Sequence, residues 1–126
     1  MKTILFADDD PVIVQVYRGA LQKGGYRVEV ANDGLAAMKM MLPLLPDLVV
    51  LDLMMPKVDG EHVLKYIHSR PELNHTKVVV LSTATLADAA HPALAQKPDR
   101  VFYKGEATPN QLLKIVGEML GEPGPA

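Results

Sequence analysis

Three aspartates, Asp8, Asp9 and Asp10, directly follow the apolar run 4–7. A fourth, Asp52, ends the apolar run 48–51. Ser82-Thr83 follows the run 78–81, and Lys104 follows 101–103. Carboxylates about 4 Å apart repel by roughly 4 kcal/mol at an effective dielectric near 20. Such a cluster needs a cation, a proton or a counter-ion to offset it. Mg2+ suits this role, because it takes oxygen ligands, keeps several waters, and is held by one or two carboxylates. A divalent metal, the Lys104 ammonium and the Thr83 hydroxyl around a carboxylate make an apparatus for phosphoryl transfer. The central carboxylate is then the nucleophile and becomes an aspartyl phosphate. Each residue alone has a plainer use. Asp10 reads as a helix cap, Asp8 and Asp9 as turn residues, and Asp52 as a strand end. Thr83 reads as a capping hydroxyl and Lys104 as a solvated cation. Coincidence does not explain complementary groups at four separate strand ends.

The elements that must position them alternate in type. Segments 4–7, 27–31, 48–51, 78–81 and 101–103 are short and mostly rich in Val, Ile or Leu, which predicts strands buried on both faces of a parallel sheet. Asp10-Pro11 predicts an N-cap with Pro at the first helical position, and Gly24-Gly25 a helix end. That helix is expected to turn Val12, Ile13, Val16, Ala20 and Leu21 inward. Asn32-Asp33 caps a second helix carrying Ala36, Ala37, Met38, Met41 and Leu42, which Pro43 should end or kink. Asp59-Gly60 opens a third, with Val63, Leu64 and Ile67 toward the core. The stretch 83–100 is alanine-rich, but Pro92 delays or breaks its helix. Thr108-Pro109-Asn110-Gln111 is a capping box opening a last helix with Leu112, Leu113, Val116, Met119 and Leu120. Five strand–helix alternations predict an α/β fold, with a parallel sheet and helices on both its faces. In such sheets ligands sit beyond the carboxyl ends of the strands, where the acids, the hydroxyl and the lysine all fall.

Composition sets the outer limits. The chain has 126 residues, 48% hydrophobic and 22% charged, which suits one domain, neither disordered nor membrane-embedded. The expected boundaries are 1–121 for the domain and 122–126 for a disordered tail. A net charge of -2 gives no reason to expect direct nucleic-acid binding. Cysteine is absent, which excludes disulfides, thiolate chemistry and Cys-based zinc sites. The start of the chain resembles neither a signal peptide nor a transmembrane segment, so no membrane insertion and a cytoplasmic location are expected. The four histidines share no metal-ligand spacing. Met38 and Met41 read as core filler, and Met40 as exposed.

The residues quoted resemble the receiver domain of two-component response regulators, of the single-domain type found among chemotaxis regulators. The resemblance rests on 4–11, on the block Asp47 to Gly60 containing Asp52-Leu-Met-Met-Pro56, on Val78 to Ala84, and on Lys104. It implies a flavodoxin-like fold of five parallel strands in the order 2-1-3-4-5. It implies that Asp52 takes a phosphoryl group from a sensor histidine kinase or histidine phosphotransfer protein. Asp8, Asp9, Asp52 and the Met54 main-chain carbonyl would hold Mg2+. Thr83 and Lys104 would contact phosphoryl oxygens. The chain would then be a phosphoacceptor assisting its own phosphorylation and dephosphorylation rather than an enzyme, and would switch contacts with a downstream protein. Exposed apolar residues of the first helix, Val14 and Tyr17, are candidates for kinase docking. The sequence leaves a homodimer open.

Three features depart from the family pattern, all on the output side. Gly105 replaces the Pro that usually follows the lysine, Val101 stands where an aromatic is usual, and Pro92 interrupts the alanine-rich stretch. Two rival readings remain. One is a receiver-like adaptor that takes no phosphate. The other is an aspartyl-nucleophile phosphohydrolase with Asp8 as nucleophile and Asp10 as acid, which leaves the Asp52 to Gly60 block without a use.

Overall fold

The computed structural model describes residues 1–53, 55, 59–82, 98–103 and 108–121. Met54, Thr83, Lys104, Gly105, the stretch around Pro92 and the expected tail 122–126 lie outside the described residues. Five strands form one parallel sheet: β1 (Thr3–Ala7), β2 (Arg27–Ala31), β3 (Leu48–Asp52), β4 (Lys77–Ser82) and β5 (Arg100–Tyr103). Their order is β2-β1-β3-β4-β5, the doubly wound order expected. The described helices are α1 (Pro11–Lys23), α2 (Gly34–Leu44), α3 (Gly60–Ser69) and α4 (Pro109–Leu120). A short 3-10 turn, Pro71–Leu73, precedes β4. Among the described residues no helix is long and apolar enough to cross a membrane.

The sheet divides the core in two because strand side chains alternate between faces. Ile4, Phe6, Leu48, Val50, Val79, Leu81 and Phe102 face α1 and α4, whose Tyr17, Leu21, Leu112 and Val116 cover them. Leu5, Ala7, Val49, Leu51, Val78 and Val80 face α2 and α3, against Ala37, Met41, Val63, Leu64 and Ile67. Strand starts are tied by side chains. The Asp47 carboxylate accepts from Thr3 N at 2.8 Å, and the Asp99 carboxylate from Val78 N at 2.7 Å. Those two acids are therefore structural, at the end of the sheet opposite Asp8 and Asp52.

Helix starts follow the expected chemistry. Asp10 Oδ1 accepts from Val12 N and Ile13 N, with Pro11 in the first turn. Asp33 Oδ1 accepts from Ala36 N at 2.7 Å. Thr108 and Gln111 exchange the two hydrogen bonds of a capping box.

Four expectations about helix faces and ends need correction. Val12 and Val16 do not turn inward; they are 66% and 50% exposed. Tyr17, expected on the surface, is buried at 4% exposure. Seven of the helix's thirteen residues are apolar, so more than one face satisfies the periodicity. The face that buries Tyr17 and Leu21 puts the larger side chains inside. Pro43 does not end α2 but lies inside its last turn, where its missing N–H forgoes the bond to the carbonyl of Lys39 and the helix nonetheless runs on to Leu44. The stop comes two residues later at Leu45, whose left-handed φ of 47° redirects the chain while its N–H still reaches Met41 O. Met40 is half-buried against the α2–α3 side of the core rather than exposed.

Candidate functional site

The parallel register carries the ends of β1 and β3 side by side, with Ala7 opposite Leu51. The next residues are Asp8 and Asp52, so the acids of two distant segments meet beyond one sheet edge. Asp8 is fully buried, Asp52 is 6% exposed and Asp9 is exposed. Each of the three places a carboxylate oxygen within 4.8 Å of the others. The turn that does this is fixed locally. Asp8 N donates to Ala31 O at 3.2 Å, tying the end of β1 to edge strand β2. Asp8 Oδ1 accepts from Asp10 N at 2.9 Å. The Asp10 side chain points away, into the first turn of α1, and takes the role of a cap.

Below Asp52 the chain is held just as closely. Leu53 N donates to Leu81 O, and Gly60 N to Leu53 O at 3.3 Å. A Cβ at residue 60 would stand 3.2 Å from Leu53 Cα and 3.4 Å from Asp52 O. Gly60 therefore lets the start of α3 lie directly against the backbone of the acceptor candidate. Asp59 caps α3, its Oδ1 accepting from His62 N and lying 3.1 Å from His62 Nδ1. The sequence displays Asp59-Gly60 as a helix start; the close approach under Asp52 is tertiary and has no local signal.

Two carboxylates nearly removed from water, with a third beside them, store repulsion of several kcal/mol unless a cation offsets it. The donor set is carboxylate oxygen alone, which selects a hard cation such as Mg2+, Mn2+ or Ca2+ over a softer metal. Asp9 keeps one side of the cluster in contact with solvent, which suits a cation that retains waters. The residues present thus fit Mg2+. Of the sequence-predicted site residues, the structure brings together Asp8, Asp9 and Asp52. Met54, Thr83 and Lys104 fall outside the described residues, although β4 ends at Ser82 opposite Tyr103 of β5, the residues just before Thr83 and Lys104.

Comparison with known proteins agrees with this geometry. A 66-residue stretch is 44% identical to the response regulator MprA of Mycobacterium leprae. That stretch is 52% of this chain and only 29% of MprA, so the match covers less than a third of that relative. The chemotaxis response regulator CheY4 of Vibrio cholerae superposes with a TM-score of 0.84 at 27% identity, covering 94% of this chain and 98% of CheY4. The Mn(2+)-bound form of response regulator Rcp1 superposes at 0.82 with 26% identity over the whole of both chains. The family model of the response regulator receiver domain matches residues 4–117. With the sheet order and the paired strand-end acids, that match establishes that the chain belongs to the receiver domains of two-component response regulators.

Proposed function

We propose that the chain is a phosphoacceptor that takes a phosphoryl group onto Asp52 from the phosphohistidine of a sensor kinase or histidine phosphotransfer protein. An Asp52 carboxylate oxygen attacks phosphorus, the bond from phosphorus to the donor's histidine nitrogen breaks, and an acyl phosphate results. Asp8, Asp9 and Asp52, with the Met54 carbonyl, hold Mg2+, which when bound neutralises charge on the transferring group. Asp8 and Asp9 keep that charge centre beside the acceptor. Thr83 and Lys104 contact the phosphoryl oxygens. The added charge of about -1.5 to -2 re-poses the surface beyond β4 and β5, and a downstream protein reads the change. Residues 1–121 form the receiver domain, which acts in the cytoplasm and turns over no substrate of its own. The exposed apolar pair Val12 and Val16, one turn apart on α1 beside the acid rim, is the docking patch for the donor, in place of Val14 and Tyr17.

The observation that carries this reading is the meeting of two buried carboxylates and one exposed carboxylate at the ends of β1 and β3. The hydrolase reading requires Asp10 as an acid, yet its carboxylate is engaged in capping α1. The test is intact mass after incubation with Mg2+ and acetyl phosphate, alongside Asp52→Asn and Asp8→Asn. A phosphate adduct lost in Asp52→Asn and on chelation supports the acceptor. An adduct that survives Asp52→Asn but not Asp8→Asn favours the hydrolase, and no adduct with either small donors or a phosphorylated kinase favours the adaptor.

A further inference from the structure

An aromatic line crosses the core beneath the acid rim. The Phe6 ring of β1 stacks on Tyr17 of α1, with centroids 6.1 Å apart and planes at 24°. Tyr17 meets Phe102 of β5 edge-on, at 6.2 Å and 89°. All three are buried, and Phe6 and Phe102 are the only phenylalanines in the sequence. β1 and β5 are not neighbours; β3 and β4 lie between them. Three strand spacings of about 4.8 Å separate them, and no hydrogen-bond ladder joins them directly. Beside the ladders that run through β3 and β4, Tyr17 gives the strand leading into Asp8 a direct ring contact with the strand that runs on into Lys104.

The choice of residue bears on what the line does. A tyrosine buried to 4% exposure carries a hydroxyl into a place where Leu would fill space without a polar atom. A flat ring does what Leu cannot. It offers a face to Phe6 and meets Phe102 edge-on, and aromatic pairs prefer these two geometries over looser ones. Rings placed so have few alternative packings, so they set a separation more sharply than aliphatic chains do.

We infer that Tyr17 is a positioning residue for the acceptor chemistry, a ring spacer that fixes the end of β5 relative to Asp8, Asp9 and Asp52. The inference rests on the acceptor reading given above. It separates two properties of the site. The carboxylates sit on β1 and β3, which are adjacent and hydrogen-bonded, so their mutual spacing and their affinity for Mg2+ do not depend on Tyr17. β5 is two ladders removed from β3, and the Tyr17–Phe102 contact is what braces it from α1, so the rate of phosphoryl transfer is the property that responds to Tyr17.

The experiment measures the phosphorylation rate with acetyl phosphate and Mg2+ affinity by calorimetry on the full chain. It compares wild type, Tyr17→Leu, Tyr17→Phe, Phe102→Leu, Asp52→Asn and Leu73→Ala. Leu73 is buried in the other half of the core, before β4, and controls for general destabilisation. Tyr17→Leu is expected to slow phosphorylation about tenfold, the scale of a sub-ångström misplacement, with Mg2+ affinity within about twofold of wild type. Tyr17→Phe, which keeps the ring, restores the rate, and Leu73→Ala leaves it near wild type. Phe102→Leu breaks one end of the line and slows the reaction as Tyr17→Leu does, which serves if Tyr17→Leu does not fold. A Tyr17→Leu rate within twofold of wild type overturns the inference. So does equal slowing by Leu73→Ala or by Tyr17→Phe, the last because it assigns the effect to the hydroxyl. A wild type that takes no phosphate on Asp52 overturns the acceptor reading and this inference with it. Normal wild-type phosphorylation with an indifferent Tyr17 overturns this inference alone.

Discussion

Adjacent aspartates at the start of α1 do unlike work, and the direction of each side chain decides which. Asp10 gives its N–H to Asp8 Oδ1 while its own carboxylate receives Val12 N and Ile13 N. Removing that carboxylate takes away a cap and no site charge. Asp10→Ala is expected to cost about 1 kcal/mol, seen as a lower midpoint in urea, and to leave the rate of Asp52 phosphorylation within about twofold. Loss of phosphorylation on that substitution would return Asp10 to the chemistry. Gly60 presents the reverse case, little stability and much geometry. A methyl group there stands 3.2 Å from Leu53 Cα, and backbone has to give way by a few tenths of an ångström. Ala regains helix propensity at the start of α3, so the net stability change is about 1 kcal/mol or less. The displaced backbone belongs to Asp52 and Leu53. Gly60→Ala is therefore expected to slow phosphorylation by about threefold or more at nearly constant melting temperature. An unchanged rate would show that the acceptor tolerates the shift.

At the scale of elements, α1 carries both the largest misreading and the clearest consequence. The strands were legible because 4–7, 27–31, 48–51, 78–81 and 101–103 are apolar runs, and the structure extends them by a residue at most at either end. Their parallel order followed from alternation with helices. The meeting of Asp8 with Asp52 was legible for the same reason, since strand ends in such a sheet share one rim. The inward face of α1 was not. Val12, Ile13, Val14, Val16, Tyr17, Ala20 and Leu21 cover much of the helix circumference, and periodicity alone allows either Val16 or Tyr17 inside. Phe6 and Phe102 decide in favour of Tyr17, and although Phe6 lies on the strand just before α1, Phe102 comes from β5, at the far end of the sequence. The end of α2 was hidden likewise, because Leu45 takes a left-handed φ that usually asks for Gly or Asn. With Tyr17 inside, Val12 and Val16 are left outside, half or more exposed and next to the acid rim. Val16→Lys is expected to leave stability within about 0.5 kcal/mol and the acetyl phosphate rate unchanged. It should slow transfer from a phosphorylated histidine phosphotransfer protein by about tenfold, as loss of an apolar contact in a docking patch does. Equal rates from the protein donor would place docking elsewhere.

For the whole molecule, the fold crowds three acids at one rim, and their mutual repulsion subtracts from its stability. The strand starts mix signs, with Arg27, Lys77 and Arg100 near Asp47 and Asp99, while Asp8, Asp9 and Asp52 crowd the opposite rim. The sheet holds those acids together whether or not a cation is present, because the β1–β3 ladder and the Asp8–Ala31 hydrogen bond fix their backbones. In the unfolded chain Asp52 is more than forty residues from Asp8, and the repulsion vanishes. Folding thus creates the repulsion, and a cation that binds the folded state alone removes it. Linkage then gives a stability increment of about 2.7 kcal/mol when Mg2+ is present at 100 times its dissociation constant. For a chain of this length that raises the melting temperature by roughly 8 °C. The urea midpoint should rise with an unchanged m-value, because the surface exposed on unfolding is the same. Asp52→Asn removes one of the crowded charges. It is expected to melt higher than wild type without Mg2+ and to respond to Mg2+ by less than half as much. The sign of that pair of changes is the discriminating result. Were Asp52 an ordinary structural carboxylate, its neutralisation would lower stability, and Mg2+ would stabilise both proteins alike.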